Sequence, residues 1–201
     1  MNDDGAKSIQ IMGLRFFQVQ LFFEPGTKTN LFALKNNKTV GETIRDRRYA
    51  SLAEIVCARY PNAIGVPLGT FLLERKQASD RFYLRFLNPY GDETYCKFRF
   101  KDTPWLNRKG LYCYVVKSSI TYVGQSKDTF GKRINHGYGN ISPKNCYLDG
   151  QETNCHLNSS IASHRYDLEL YLCELNDPVA INIMEKKMIQ EYQPPWNIAL
   201  K

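Results

Sequence analysis

Two features that place many chains are missing here. No two of the six cysteines (57, 96, 113, 146, 155 and 173) form a C-x-x-C pair, and no apolar run approaches the length of a membrane span. The first absence argues against the common structural zinc motifs, and the second against a membrane-spanning helix. The opening MNDDGAKS lacks a positive stretch followed by an apolar run, so no secretory leader is expected. The reading is a cytoplasmic, intracellular protein with reduced thiols. In that setting the Asn-x-Ser/Thr matches at Asn37, Asn140 and Asn158 carry no glycosylation signal. Internal repeats and low-complexity tracts are also absent.

The chain has 201 residues and is 43% apolar, enough to bury a core. Its net charge of +7 is unevenly spread. Residues 1–109 hold 18 Lys and Arg against 11 Asp and Glu, whereas residues 110–201 hold nine of each. A basic half rich in aromatic residues suits a polyanion, most simply a nucleic acid. Arg45, Arg47, Arg48, Arg59, Lys97, Arg99 and Lys101 are the candidate phosphate contacts. A basic α+β region over 1–107 followed by a second module over 108–201 is the expected division.

Residues 9–24 alternate in places and read as strand, broken near Gly13. Ser51-Leu-Ala-Glu54 reads as a capping box opening a helix of about ten residues that ends before Pro61. Strand-like runs follow at 69–74, 81–87 and 94–100, with a turn at Asn88–Asp92. Residues 111–117 and 120–124 predict a hairpin around Ser118-Ser119. A short helix with Asp128 as N-cap and Gly137 past its end comes next. A polar connection spans 137–156, long enough to suggest a DNA-reading or site-covering loop. A helix near 157–165 and a strand near 168–174 lead to a last helix opened by Asp177-Pro178 and stopped by Pro194-Pro195.

On that last helix Glu185 shares the apolar stripe of Ile181 and Ile189, four residues to either side. A carboxylate there must be paired, protonated or bound to a metal. Its candidate partner in a buried ion pair is Arg133 or a lysine. Arg133 and His136, three apart, would share a helix face. Tyr112, Tyr114 and Tyr122 lie on the hairpin, where tyrosine is common for β-propensity alone. Strand parity adds a condition. A two-residue turn at Ser118-Ser119 puts Tyr112 and Tyr122 on opposite faces, so a shared site requires an odd loop or a bulge. Cys146, Cys155, His156 and His164 match no common zinc spacing.

Gly110-Leu111-Tyr112, Tyr122-Val123-Gly124, Arg133, Glu185 and Asn197 together resemble the GIY-YIG nuclease superfamily, over about residues 108–198. Leu and Val replace the two middle isoleucines, and in layout the chain is most similar to the type II restriction endonucleases of that superfamily. The resemblance implies an α+β fold in which a small antiparallel sheet is flanked by helices. It implies one Mg²⁺ (or Mn²⁺) per active site held by Glu185, charge stabilisation by Arg133, and a water activated or oriented by Tyr112. Tyr122 would bind phosphate or assist proton transfer, Asn197 would fix the geometry, and His136 would carry a proton or contact DNA. Lys127 would be a further phosphate contact. The implied activity is sequence-specific cleavage of double-stranded DNA by a homodimer. The rival readings are a repair or mobile-element nuclease acting on structured DNA, and a non-catalytic nucleic-acid-binding module.

Overall fold

The computed structural model describes residues 7–198. In chain order its elements are strands β1 (Ser8–Ile11), β2 (Leu14–Val19) and β3 (Leu21–Phe23), helices α1 (Val40–Ile44), α2 (Ala53–Arg59) and α3 (Leu68–Gln77), strand β4 (Phe98–Phe100), the one-turn helix α4 (Thr103–Leu106), strands β5 (Gly110–Val116) and β6 (Ser119–Ser126), a π-helix (Gly131–Tyr138), helix α5 (Glu152–His164), strand β7 (Leu168–Glu174) and helix α6 (Pro178–Tyr192). The protein is α+β, as expected. It divides into two compact units. One takes the described residues up to Gly26, then Cys96–Asn140 and Ser160 onward; the other takes Thr27–Tyr95 and Ile141–Ser159. The division read from charge, at 107/108, separates chemistry along the chain. The compact units cut the chain elsewhere, because β1 and β2 join the sheet that contains β5 to β7.

In the first unit five antiparallel strands run in the order β1-β2-β7-β5-β6, and β3 pairs with β4 in a separate ribbon. β5 lies between β6 and β7, and all seven of its residues are buried. Alternation sends Leu111, Cys113 and Val115 to one face, where they pack with Val123, Tyr171 and Cys173 beneath Ile181, Met188 and Ile189 of α6. Each such side chain contributes about 1.5–3 kcal/mol by leaving water. α6 begins as expected: the Asp177 carboxylate accepts from Val179 N–H at 2.9 Å, and Pro178 occupies the first turn. It ends at Gln193, which turns left-handed (φ 43°) just before Pro194.

The β5–β6 hairpin meets the parity condition by a bulge. Its turn is Lys117-Ser118, one residue earlier than expected, with φ 48° and 66°. Two left-handed residues make the tight turn that matches strand twist. Val116 then pairs with Ser119 and Val115 with Ile120, but Tyr114 pairs with Tyr122 and Tyr112 with Gly124. Thr121 is the extra residue, and it brings Tyr112, Tyr114 and Tyr122 to the same face.

The second unit is where local sequence misleads most. Residues 68–77 form α3 rather than a strand: Leu68, Phe71 and Leu72 are buried at helical spacing. Residues 81–86 form a 3₁₀-helix in which the Asp80 side chain accepts from Phe82 N–H at 3.0 Å. Of the 94–100 run, which passes into the first unit at Cys96, only Phe98–Phe100 is strand. The capping box lies at Thr39–Glu42, and residues 50–52 are a 3₁₀-turn leading into α2. Short runs of Phe, Tyr and Leu look alike in strands and tight helices, and here a packed aromatic core decides between them. That core contains Phe32, Tyr49, Phe71, Phe86, Tyr95 and Tyr147. The expected turn at Asn88–Asp92 is present, with Tyr90 N–H bonded to the Asn88 side chain at 3.0 Å.

The polar stretch 137–156 is not a free loop. Past the π-helix it includes a 3₁₀-turn, Pro143–Cys146, capped by Ser142 and Asn145. Ile141, Cys146, Tyr147 and Cys155 belong to the core of the second unit. The Asn88 side-chain amide donates to Asn145 O at 2.7 Å, and Asn88 N–H donates to Cys146 O at 3.0 Å. α5 starts at Glu152, earlier than its apolar pattern indicated.

Candidate active site

On the face of the sheet opposite α6, four tyrosine rings pack with centroids 6.1–6.3 Å apart. Three come from the hairpin and the fourth, Tyr138, from the end of the π-helix. Gly124 makes the packing possible: a Cβ there would stand 2.4 Å from the Tyr112 hydroxyl. Gly110 serves differently. Its φ of 142° and close approach to Cys173 O exclude a side chain where β5 meets β7.

The hydroxyls form a chain. Tyr112 and Tyr138 are 2.8 Å apart, and Tyr138 and Tyr122 are 3.3 Å apart. Tyr114 is fully buried and its hydroxyl has no hydrogen-bond partner among the described residues. The Arg133 side chain donates from Nε to the Tyr112 hydroxyl at 3.4 Å, and its guanidinium lies 4.8 Å from the centre of the Tyr138 ring. Burial pushes Tyr112, Tyr122 and Tyr138 above the ordinary phenol range, opposed by the Arg133 charge. All three are therefore neutral hydroxyls at neutral pH. Desolvation works against the Arg133 charge, but its pKa is raised on balance, and the guanidinium is charged while the phenols are neutral.

The π-turn explains the missing tyrosine. Gly139 N–H bonds to Ile134 O at 2.7 Å, five residues back. In that wider turn residues five apart come together, so Arg133 meets Tyr138. The α-helical spacing expected from sequence pairs Arg133 with His136 instead. The helix is opened by Thr129, whose hydroxyl accepts from Lys132 N–H at 3.2 Å, and Gly137 lies inside it; Asp128 pairs with the Lys132 side chain. His136 is exposed and lines a cavity beside β4, with no hydrogen bond to the tyrosines.

Glu185 looks out from α6 beside the edge strand β6. Gln125, on the α6 face of that strand, donates from Nε2 to Glu185 Oε2 at 2.5 Å and to Asn182 Oδ1 at 3.4 Å. Burial raises the Glu185 pKa, while the Gln125 hydrogen bond, Arg133 and Lys127 oppose the rise. The charge of Glu185 also acts on Tyr122. The carboxylate is thus held by an amide, and Arg133 acts on it through space. Asn197 is buried and closes the far side of β6: its amide accepts from Val123 N–H at 2.9 Å and donates to Val123 O at 2.8 Å.

The donors near Glu185 are hard oxygens, including the Asn182 carbonyl and a buried Gln125 Oε1 with no hydrogen-bond partner among the described residues. Among the described residues no group of three or more His, Cys, Asp or Glu could hold an ion. The residues present fit a cation bound by one carboxylate and otherwise by water and substrate oxygens. Cys146 and Cys155 are buried free thiols that hydrogen-bond to each other, while His156 packs on Tyr90 and His164 on Trp196.

The basic candidates fall into both units. Lys97, Arg99 and Lys101 alternate with buried Phe98 and Phe100 on the β3–β4 ribbon, and Lys127 is exposed just past β6. Arg45, Arg47 and Arg48 are exposed after α1, and Arg59 lies over Tyr60 at the end of α2. No helix among the described residues is long and apolar enough to cross a membrane. No protein-family model, curated protein or solved structure matches the chain.

Proposed function

We propose that the protein is a Mg²⁺-dependent DNA endonuclease with a GIY-YIG type of site, cutting double-stranded DNA at a specific sequence. The observation that carries the reading is the convergence of Arg133 with the Tyr112–Tyr138–Tyr122 hydroxyl chain, with the Glu185 carboxylate within electrostatic reach of Tyr122 and Arg133. Glu185 would hold the divalent cation, which when bound supplies charge neutralisation at the phosphate. Arg133 stabilises charge on the non-bridging oxygens. Tyr112, kept neutral by its burial, would orient the attacking water through its hydroxyl, which Tyr138 holds in place. Asn197 fixes the edge strand that carries Tyr122. The exposed arginines and lysines supply phosphate contacts. One site cuts one strand, so a two-fold dimer would cut both strands of a palindrome.

The test is incubation of the protein and its Glu185→Ala variant with long unmodified DNA and Mg²⁺. Discrete fragments from the wild type, with a loss of at least about 100-fold in the variant and DNA binding retained, are expected. Normal cutting by Glu185→Ala removes the metal assignment. A smear would replace sequence-specific cutting with the structured-DNA reading. Salt-sensitive binding without cutting under any divalent cation would leave a binding module.

A further inference from the structure

The cavity that takes up His136 is a separate feature from the tyrosine site. It measures about 300 Å³ and is lined by Phe22, Lys97, Arg99, Asn135, His136 and Asn140, among others. Its floor is rigid. Asn135 exchanges two hydrogen bonds with the Phe100 backbone, both at 3.0 Å, and Phe98 N–H donates to Gly139 O at 3.1 Å. These bonds fasten the end of the π-helix to β4.

The wall carries an uncommon mixture. Phe22 pairs across the ribbon with Arg99, so their side chains are neighbours on one face. Phe22 is 37% exposed, with the Lys101 ammonium 4.5 Å from its ring centre. Lys97 is engaged by Glu24 at 2.8 Å. The side chains of Arg99, His136 and Asn140 have no hydrogen-bond or ion-pair partner among the described residues. Basic side chains two residues apart along a strand, about 6.7 Å, track a polyanion. An exposed ring among them offers a stacking surface. The open amide and imidazole can meet the edge of a base.

We infer that this cavity receives the base of one unpaired nucleotide of the DNA strand, stacked on Phe22, with its phosphate on Arg99. The inference rests on the nuclease reading for its nucleic acid. Lys101 covers the ring until the base displaces it, and then turns to a phosphate. Such a pocket accepts a base extruded from a duplex as well as one that arrives unpaired.

The full chain in EDTA would be titrated against three labelled duplexes by fluorescence anisotropy. One carries a single unpaired nucleotide, one an unpaired abasic residue at the same place, and one is fully paired. The unpaired base should raise affinity about ten-fold over the abasic duplex. Phe22→Ala should abolish that preference and Phe22→Trp should keep it, both variants retaining the wild-type melting temperature. Equal affinity for base and abasic residue in the wild type, or a preference that survives Phe22→Ala, overturns the pocket. If Phe22→Ala misfolds, Phe22→Leu, which keeps an apolar side chain but removes the flat ring, tests the same claim: the preference should be lost, and a preference that survives overturns the pocket. Given the preference, 2-aminopurine in the paired duplex separates the sources. Fluorescence that rises on binding marks extrusion, and unchanged fluorescence marks a substrate that arrives unpaired; both support the pocket. Adding Mg²⁺ tests the reading beneath. A preserved preference without cutting on any DNA removes the nuclease and keeps the pocket, and cutting without a base preference does the reverse.

Discussion

At the scale of single residues the tyrosine site depends on one missing atom and one hydroxyl. Gly124→Ala would place a methyl against the Tyr112 hydroxyl and ring carbons, and Tyr112 is fully buried. Overpacking of this kind costs about 1–3 kcal/mol. We expect a lower melting temperature and a larger proportional loss of DNA cutting, read by calorimetry and by single-turnover cleavage. Tyr138→Phe is the complementary change. It keeps the ring under Arg133 and removes the hydroxyl that joins Tyr112 to Tyr122. The expected result is a fall of about 100-fold in the cleavage step with DNA affinity intact; an equal fall in both would make Tyr138 a binding residue. Tyr112, Tyr122, Arg133 and Asn197 were singled out through the family resemblance, from the tripeptides at Gly110 and Gly124 and the order of the residues that follow. Tyr138 was not visible, since a five-residue hydrogen bond leaves no pattern in an eight-residue helix and the usual spacing points to His136.

Elements were legible where the chain carries its own punctuation. Asp177-Pro178 and Pro194 bound the last helix, and the period-two pattern of 168–174 gave β7 its limits. The bulge at Thr121 could be demanded by parity but not placed, because its position depends on which residues take the turn. The aromatic runs of the second unit were misread as strands because their burial is set by partners far away in the chain, such as Tyr147 beside Phe32 O at 2.8 Å. The sheet itself is stitched across β7. Glu169 accepts from the Gln18 side chain at 3.1 Å and from the Tyr171 hydroxyl at 2.9 Å, and also pairs with Lys7. The Lys7 hydrogen bond holds the Glu169 carboxyl below its usual range. A depressed folded-state pKa stabilises above the unfolded value, near 4.3, and that stability is lost as pH falls through the folded value. Glu169→Gln should therefore cost about 1 kcal/mol at neutral pH, since Lys7 is largely solvated. The difference from wild type should vanish in strong acid, and urea unfolding from pH 7 downward would show it.

For the whole molecule, composition indicated an α+β protein with a basic excess, while the path of the chain was hidden. The chain passes between its two compact units at 26/27, 95/96, 140/141 and 159/160. A fragment of residues 108–201 carries every residue of the GIY-YIG resemblance but lacks β1, β2 and the β3–β4 ribbon. It should show no cooperative unfolding by calorimetry, and a sharp transition would restore the boundary read from charge. Asn197 has a consequence at this scale too. By copying a peptide group onto Val123, with Trp196 N–H on Thr121 O at 2.9 Å, it occupies the open hydrogen bonds of β6. An uncovered strand edge is a template for pairing with another chain. A protein without this cover would first lose its solubility at high concentration, aggregating through β6 while each molecule still held its fold.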